Sequence, residues 1–155
     1  MTIENFEKIL REHPFFAELE PVHLDTVVGC ATNVTIPAGE FLLREGQSAD
    51  RFYLLRHGTV AVEIAAPARG AVTIETLDAG DVLGWSWLFP PHVTRFDARA
   101  VTLVRALALD GACLRAKCAT DAALGFDLTK RFARVLVQRL EATRLQLMDL
   151  YGEHR

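Results

Sequence analysis

The side chains best equipped for chemistry in this 155-residue chain gather between positions 80 and 100. Trp85-Ser86-Trp87-Leu88-Phe89 sets two indoles close together, and Arg95 and Arg99 follow. An indole offers a face for stacking on a ring or a cation, and a guanidinium forks onto a carboxylate or phosphate. A segment of this kind either holds a flat anionic ligand or fills a core with its own aromatics. Asp97 stands two residues before Arg99, close enough in sequence to neutralise it and make the pair structural.

Other chemistries have less support. His13, His23, His57, His92 and His154 never fall as H-x-H, so no local metal site is expected, and each reads as a surface or turn residue. Cys30, Cys113 and Cys118 are odd in number and lack C-x-x-C spacing, which predicts free thiols in a reducing compartment. There is no G-x-S-x-G elbow and no Walker loop. No enzyme, catalytic residue or resident metal is expected.

Composition narrows the partners. A net charge of −3, from 17 Lys+Arg against 20 Asp+Glu, argues against non-specific affinity for nucleic acid. Uncharged stretches such as Val82 to Thr94 are too short for a membrane helix, which needs about 20 apolar residues. Glu4, Glu7 and Lys8 occupy the place where a signal peptide would be apolar. A cytoplasmic protein forming one domain over residues 1–155 is expected.

Three regions must position the aromatic segment. In residues 1–31, Ile3, Phe6, Ile9 and Leu10 recur at helical spacing until His13-Pro14 ends the helix, and a second helix starts at Pro21 and runs to about Ala31. From 32 to 109 the texture is β: runs at Val34–Ile36, Phe41–Leu43, Phe52–Leu55, Val60–Ile64, Val72–Leu77 and Ala98–Leu109, separated by turn residues. Short strands at this spacing predict an antiparallel barrel or sandwich. Gly39, Gly46, Gly58 and Gly80 are read as turn glycines and not as site residues.

Residues 110–155 turn helical again. Asp110 is the expected N-cap of a helix over Leu114 to about Cys118, and a second helix runs from about Asp121 to Leu150. Ala133, Leu136, Leu140, Thr143, Leu147 and Leu150 alternate three and four residues apart, the seam of a two-stranded coiled coil, while Leu128, Phe132 and Val135 form a second stripe facing the chain's own barrel. Two apolar faces predict a homodimer. Arg139 and Arg144 sit beside the seam, where like charges would meet unless an acidic group intervenes or the register slips. The basic run Lys130, Arg131, Arg134, Arg139 and Arg144, set against Glu141, reads as a solvated face, with an acidic partner protein as the alternative.

Two helices, a glycine-punctuated β-barrel and a long C-terminal helix resemble the cyclic nucleotide-binding domain of catabolite-activator-type (Crp/Fnr-type) regulators, kinase regulatory subunits and gated channels. Leu42-Leu43-Arg44-Glu45-Gly46-Gln47-Ser48-Ala49-Asp50-Arg51-Phe52-Tyr53-Leu54-Leu55-Arg56-His57-Gly58 follows that family's first signature, with Leu43 the one departure. His13-Pro14-Phe15-Phe16-Ala17-Glu18-Leu19 and Pro37-Ala38-Gly39-Glu40 look like its opening turn and first hairpin. The resemblance implies a jelly-roll barrel with flanking helices, a regulatory role in signal transduction, and a cyclic nucleotide or other small anionic ligand.

In that family a glycine-glutamate pair opens a short helix inside the barrel, and an arginine before the next strand meets the cyclic phosphate. Here Gly84 matches, Trp85 replaces the glutamate, Trp87 replaces a small residue, and Arg95 or Arg99 (or His92, counting back from the strand) stands for the arginine. An indole cannot accept from a ribose hydroxyl, so standard cyclic AMP recognition is not expected. The resemblance marks Gly84, Trp85, Ser86, Trp87, Arg95 and Arg99 as ligand-binding candidates. The alternative is a ligand-independent dimeric interaction module whose nucleotide cavity is filled by the tryptophans. Only five residues follow Leu150, too few for the DNA-reading domain of catabolite-activator-type regulators, so no direct DNA binding is expected.

Overall fold

The computed structural model describes residues 3–152, and the side chains of residues 6–152. The side chain of Ile3 and all of His154 therefore lie outside the described residues. Helix α1, Ile3–Glu12, ends before Pro14, where a 3-10 turn spans Pro14–Phe16, and α2, Pro21–Val28, has proline in its first turn. Eight strands follow: β1 Ala31–Ile36, β2 Phe41–Leu43, β3 Arg51–His57, β4 Val60–Ala66, β5 Gly70–Leu77, β6 Val82–Leu83, β7 Asp97–Ala100 and β8 Val104–Asp110. Two helices close the order, α3 Gly111–Thr120 and α4 Ala122–Gly152.

The apolar run expected over Ala98–Leu109 is two strands in different sheets, broken at 101–103, and β6 was not anticipated because two residues carry no periodicity. One antiparallel sheet has the order β1-β8-β3-β6 and the other β2-β7-β4-β5. The first is covered on both faces. Phe52 and Leu54 of β3 and Leu107 and Leu109 of β8 pack under the helices with Leu10, Phe16, Leu24, Leu114, Leu128 and Phe132. The alternate residues Tyr53, Leu55, Ala106 and Ala108 face the second sheet with Val60, Val62, Phe96 and Ala98. That double burial is why Phe52–Leu55 reads as four consecutive apolar residues, whereas β5, exposed over much of its length, does not.

The predicted turn glycines Gly39, Gly46, Gly58 and Gly80 all have positive φ. Gly58 is the one with no alternative: a Cβ there would lie 2.2 Å from the Leu103 carbonyl oxygen.

Two expectations are corrected. Cys30 and Cys113 are joined in a disulfide across 83 residues of sequence, leaving Cys118 as the free cysteine. Cys30 follows α2 and Cys113 lies in the first turn of α3, where the Asp110 carboxylate accepts from the Cys113 N–H and caps the helix, so two positions distant in sequence meet at one corner. His23 is buried within α2, neither a surface nor a turn residue, while His13 sits in the expected turn but is also buried. His13 is satisfied at both nitrogens, Nδ1 accepting from the Phe15 N–H and Nε2 donating to the Leu55 carbonyl, which ties the proline turn to β3.

Helix α4, capped by the Asp121 carboxylate on the Leu124 N–H, is 31 residues and about 46 Å long. Leu128 and Phe132 are buried and Val135 is partly buried, as the second stripe predicts, and Leu124 is buried ahead of them. Every described residue from 141 to 152 is exposed, including Leu147 and Leu150 of the expected seam.

Candidate functional site

The segment between β6 and β7 is held by turns and not by the short helix the family pattern implies; the Ser48–Val93 β-bridge and backbone hydrogen bonds from Gly46 to Thr94, from Ala49 to His92 and from Thr94 to Gln47 tie it to the β2–β3 loop. Gly84, at φ +96°, lets the chain leave β6 close against β3, where a Cβ would already touch the Arg51 carbonyl and the Phe52 backbone at 3.5–3.6 Å.

The two tryptophans part company from there. Trp87 is 1% exposed and belongs to the core beneath the helices, stacked on Phe52 at 4.9 Å between ring centroids and edge-on to Phe132 at 5.5 Å. Its Nε1–H has no hydrogen-bond partner among the described residues. Trp85 leans the other way, onto Phe96 of the inter-sheet core at 5.5 Å. The indoles therefore part between the two cores: Trp87 is buried in the helix-side core and lines the residual cavity, while Trp85 packs on Phe96 and touches both cores. The cavity that remains beside Gly84, Ser86, Trp87 and Phe96 is about 10 Å³, space for roughly one water.

Neither arginine candidate reaches it. Arg95 is exposed. Arg99 forks onto Glu63, with Nε and one terminal nitrogen 3.1 and 3.2 Å from the two carboxylate oxygens. The pairing of Arg99 with Asp97 is thus corrected: β7 and β4 are neighbours, so Glu63 meets Arg99 across the ladder, while Asp97 accepts from the Glu45 N–H and lies 3.6 Å from Arg44.

A cation that sequence reasoning assigned to the dimer seam comes to Trp85 instead. The Arg139 guanidinium, on α4, sits 5.2 Å over the Trp85 ring, donates to the Val82 carbonyl, and lies 3.3 Å from the Glu75 carboxylate on β5. Burial pushes this guanidinium below an arginine's ordinary value, against the opposing pull of Glu75 and then Asp81. Burial likewise pushes the Glu75 carboxyl up, Arg139 pulls it down, and Asp81 adds to the rise. The carboxylate beside Arg139 is therefore supplied by the chain's own barrel. Its signal in the sequence was the misfit of an arginine beside a leucine seam; Glu75 itself left none.

Further along α4, the Arg131 guanidinium pairs with Asp127 and donates to the carbonyls of Phe15 and Ala17, pinning the proline turn to the helix. Arg131, Arg134 and Arg139 line one wall of a cleft of about 480 Å³, with Glu75, Leu77 and Asp81 on the barrel wall. Among the described residues no group of three His, Cys, Asp or Glu could hold a metal ion, and no helix is long and apolar enough to cross a membrane.

The family model described as cyclic nucleotide-binding domain matches residues 33–121, more than half of the chain. A CRP-like cAMP-activated global transcriptional regulator of Mycobacterium tuberculosis (strain CDC 1551 / Oshkosh) is 27% identical over 144 residues, covering 93% of this chain and 62% of the regulator. The cyclic nucleotide-gated ion channel 18 of Arabidopsis thaliana is 26% identical over 152 residues, 95% of this chain and 20% of the channel. Among solved structures, a protein from Geobacter metallireducens GS-15 described as cyclic nucleotide-binding superposes with a TM-score of 0.79 at 28% identity, covering 86% of this chain and 97% of that one. The chain thus spans less than two thirds of the curated relatives it matches.

Proposed function

The chain belongs to the cyclic nucleotide-binding domain family, and from that premise we propose that it is a regulatory sensing module, one domain over residues 1–155, that forms a homodimer through α4 and does not bind cyclic AMP in the manner of its family. The observation that carries the last point is the 10 Å³ cavity at the ligand segment. Small-molecule sites occupy roughly 300–1,000 Å³. Of the candidate residues, Gly84, Ser86 and Trp87 line that cavity and Trp85 packs beside it on Phe96, while Arg95 and Arg99, one exposed and the other engaged by Glu63, do not line it.

The dimer is supported by the exposed half of α4. Leu140, Leu147 and Leu150 are each about half exposed on one stripe with Thr143, and Leu136 starts that stripe where the helix leaves the barrel. Transcriptional regulation by the cAMP-activated relative is that protein's and is not carried over to this chain, nor is a catalytic role proposed. The proposed compartment is the cytoplasm. The same closed cavity favours a second reading, a ligand-independent dimer that binds a partner protein.

A thermal-shift titration with cyclic AMP, cyclic GMP and cyclic dinucleotides tests the proposal. The expected result is no cyclic AMP-dependent rise in Tm at concentrations where a micromolar ligand would add about 2–3 kcal/mol. A saturable rise with cyclic AMP overturns it.

A further inference from the structure

The basic run of α4 is not a plain solvated face. Arg131, Arg134 and Gln138 recur at three- and four-residue spacing and, with Arg139, line the cleft of about 480 Å³, well above the 10 Å³ left at the family's ligand segment. Its size suits one small molecule. Arg131 is held at one end by Asp127 and two carbonyls, so it shapes the wall without offering a free donor fork. Arg134 is exposed on that wall and has no hydrogen-bond or ion-pair partner among the described residues.

The opposite wall carries Glu18, Glu75 and Asp81, so three arginines face three carboxylates. The Asp81 carboxylate is occupied by the Asp78 N–H, closing its own turn. Glu75 differs, since its carboxylate reaches across to Arg139 on the helix wall. The cleft thus already receives one anionic group, and that group comes from the chain itself. A side chain 31% exposed can swing out and leave the guanidinium to another anion.

We propose that this cleft binds a small organic monoanion with an apolar body, its charged group meeting Arg134 and Arg139 in place of Glu75 and its body lying on Pro14, Leu77 and Val135. The balanced lining sets the charge: a single negative charge replaces that of Glu75, whereas a polyanion would face Glu18 and Asp81 uncompensated. The site adjoins the segment around Gly84 at Arg139, which covers Trp85, but does not use the cavity beside Gly84. It rests on the sensing reading only for its consequence, that an occupant touching both α4 and the barrel biases the position of the dimer helix.

The probe is 8-anilinonaphthalene-1-sulfonate, a monoanion with an apolar body, titrated by fluorescence into the full chain. Arg134→Gln is expected to weaken binding at least fivefold, Ala142→Trp, which narrows the cleft, to abolish it, and Glu75→Gln, which removes the internal competitor, to strengthen it about threefold or more. Arg69→Gln, the same loss of charge at the β4–β5 turn, and Leu147→Asn on the seam are expected to leave it unchanged. Equal affinity in wild type, Arg134→Gln and Ala142→Trp, or loss of binding in Leu147→Asn, overturns the site. Sedimentation with and without the probe separates the two readings. Binding with the expected variant pattern but no change in the dimer equilibrium upholds the cleft and counts against sensing, while a cyclic nucleotide that raises Tm without displacing the probe leaves sensing standing apart from the cleft.

Discussion

Arg139 of α4 and Glu75 of β5 meet at 3.3 Å and fasten the long helix to the barrel edge. The same guanidinium covers Trp85 and bonds to the Val82 carbonyl, so one side chain joins the helix to the strand that leads into the ligand segment. No other residue of α4 past Phe132 makes comparable polar contact with the barrel among the described residues.

Removing that side chain loosens the helix. Arg139→Ala is expected to cost about 1–3 kcal/mol, because it leaves the Val82 carbonyl and the Glu75 carboxylate unpaired. Thermal unfolding reads this as a fall in Tm, with a larger rise in hydrogen exchange over residues 133–142 than elsewhere. Unchanged protection there would show that the apolar stripe alone holds α4.

Two groups with displaced pKa values act oppositely on stability. Burial, the largest cause, holds the His13 imidazole below its ordinary 6.5. The unfolded chain therefore takes up that proton first, and stability is lost as pH falls from 6.5 toward the folded-state value. His13→Gln is expected to flatten this limb in urea unfolding between pH 7 and 5. Glu75, its carboxyl raised above 4.5 by burial, reverses the sign: the folded state holds the proton longer, and stability falls as pH rises from 4.5 through the raised value. Glu75→Gln removes that second limb.

The disulfide closes a loop of 83 residues, so its loss enlarges the unfolded ensemble. Reduction, or the double change Cys30→Ser with Cys113→Ser, is expected to lower stability by about 2–5 kcal/mol. Cys118→Ser leaves the melting curve unchanged and still responsive to dithiothreitol. If dithiothreitol leaves the wild-type Tm where it was, the Cys30–Cys113 bridge is absent in solution.

Leu140→Arg places a charge in the centre of the proposed seam while its own side chain is already half exposed. It is expected to halve the sedimentation mass toward the 17.2 kDa of one chain, with little change in the far-ultraviolet spectrum. An unaltered mass would remove the coiled-coil reading.

The ligand segment shows how far residue identity carries. Trp85 and Trp87 stand two apart and read as one aromatic unit. The turn after Gly84 gives them different neighbours, Trp85 on Phe96 at the margin of both cores and Trp87 on Phe52 and Phe132 within the helix-side core. Arg99 had a plausible neighbour in Asp97, two residues away on the same face of β7, yet the register with β4 brought Glu63 onto that face and the guanidinium pairs with it instead.

The sequence by itself determined what depends on local chemistry and period: helix stops at proline, glycines at positive φ, double-faced burial of Phe52–Leu55, the Asp110 cap and the family signature. These are short-range properties, written in adjacent residues. Tertiary structure alone decided the Cys30–Cys113 bridge, the Arg99–Glu63 fork and the capture of Arg139 by Glu75. Each joins residues 36 to 83 positions apart, and at that separation a partner is chosen by which strand and helix faces the packed layers bring together, a choice no local pattern encodes.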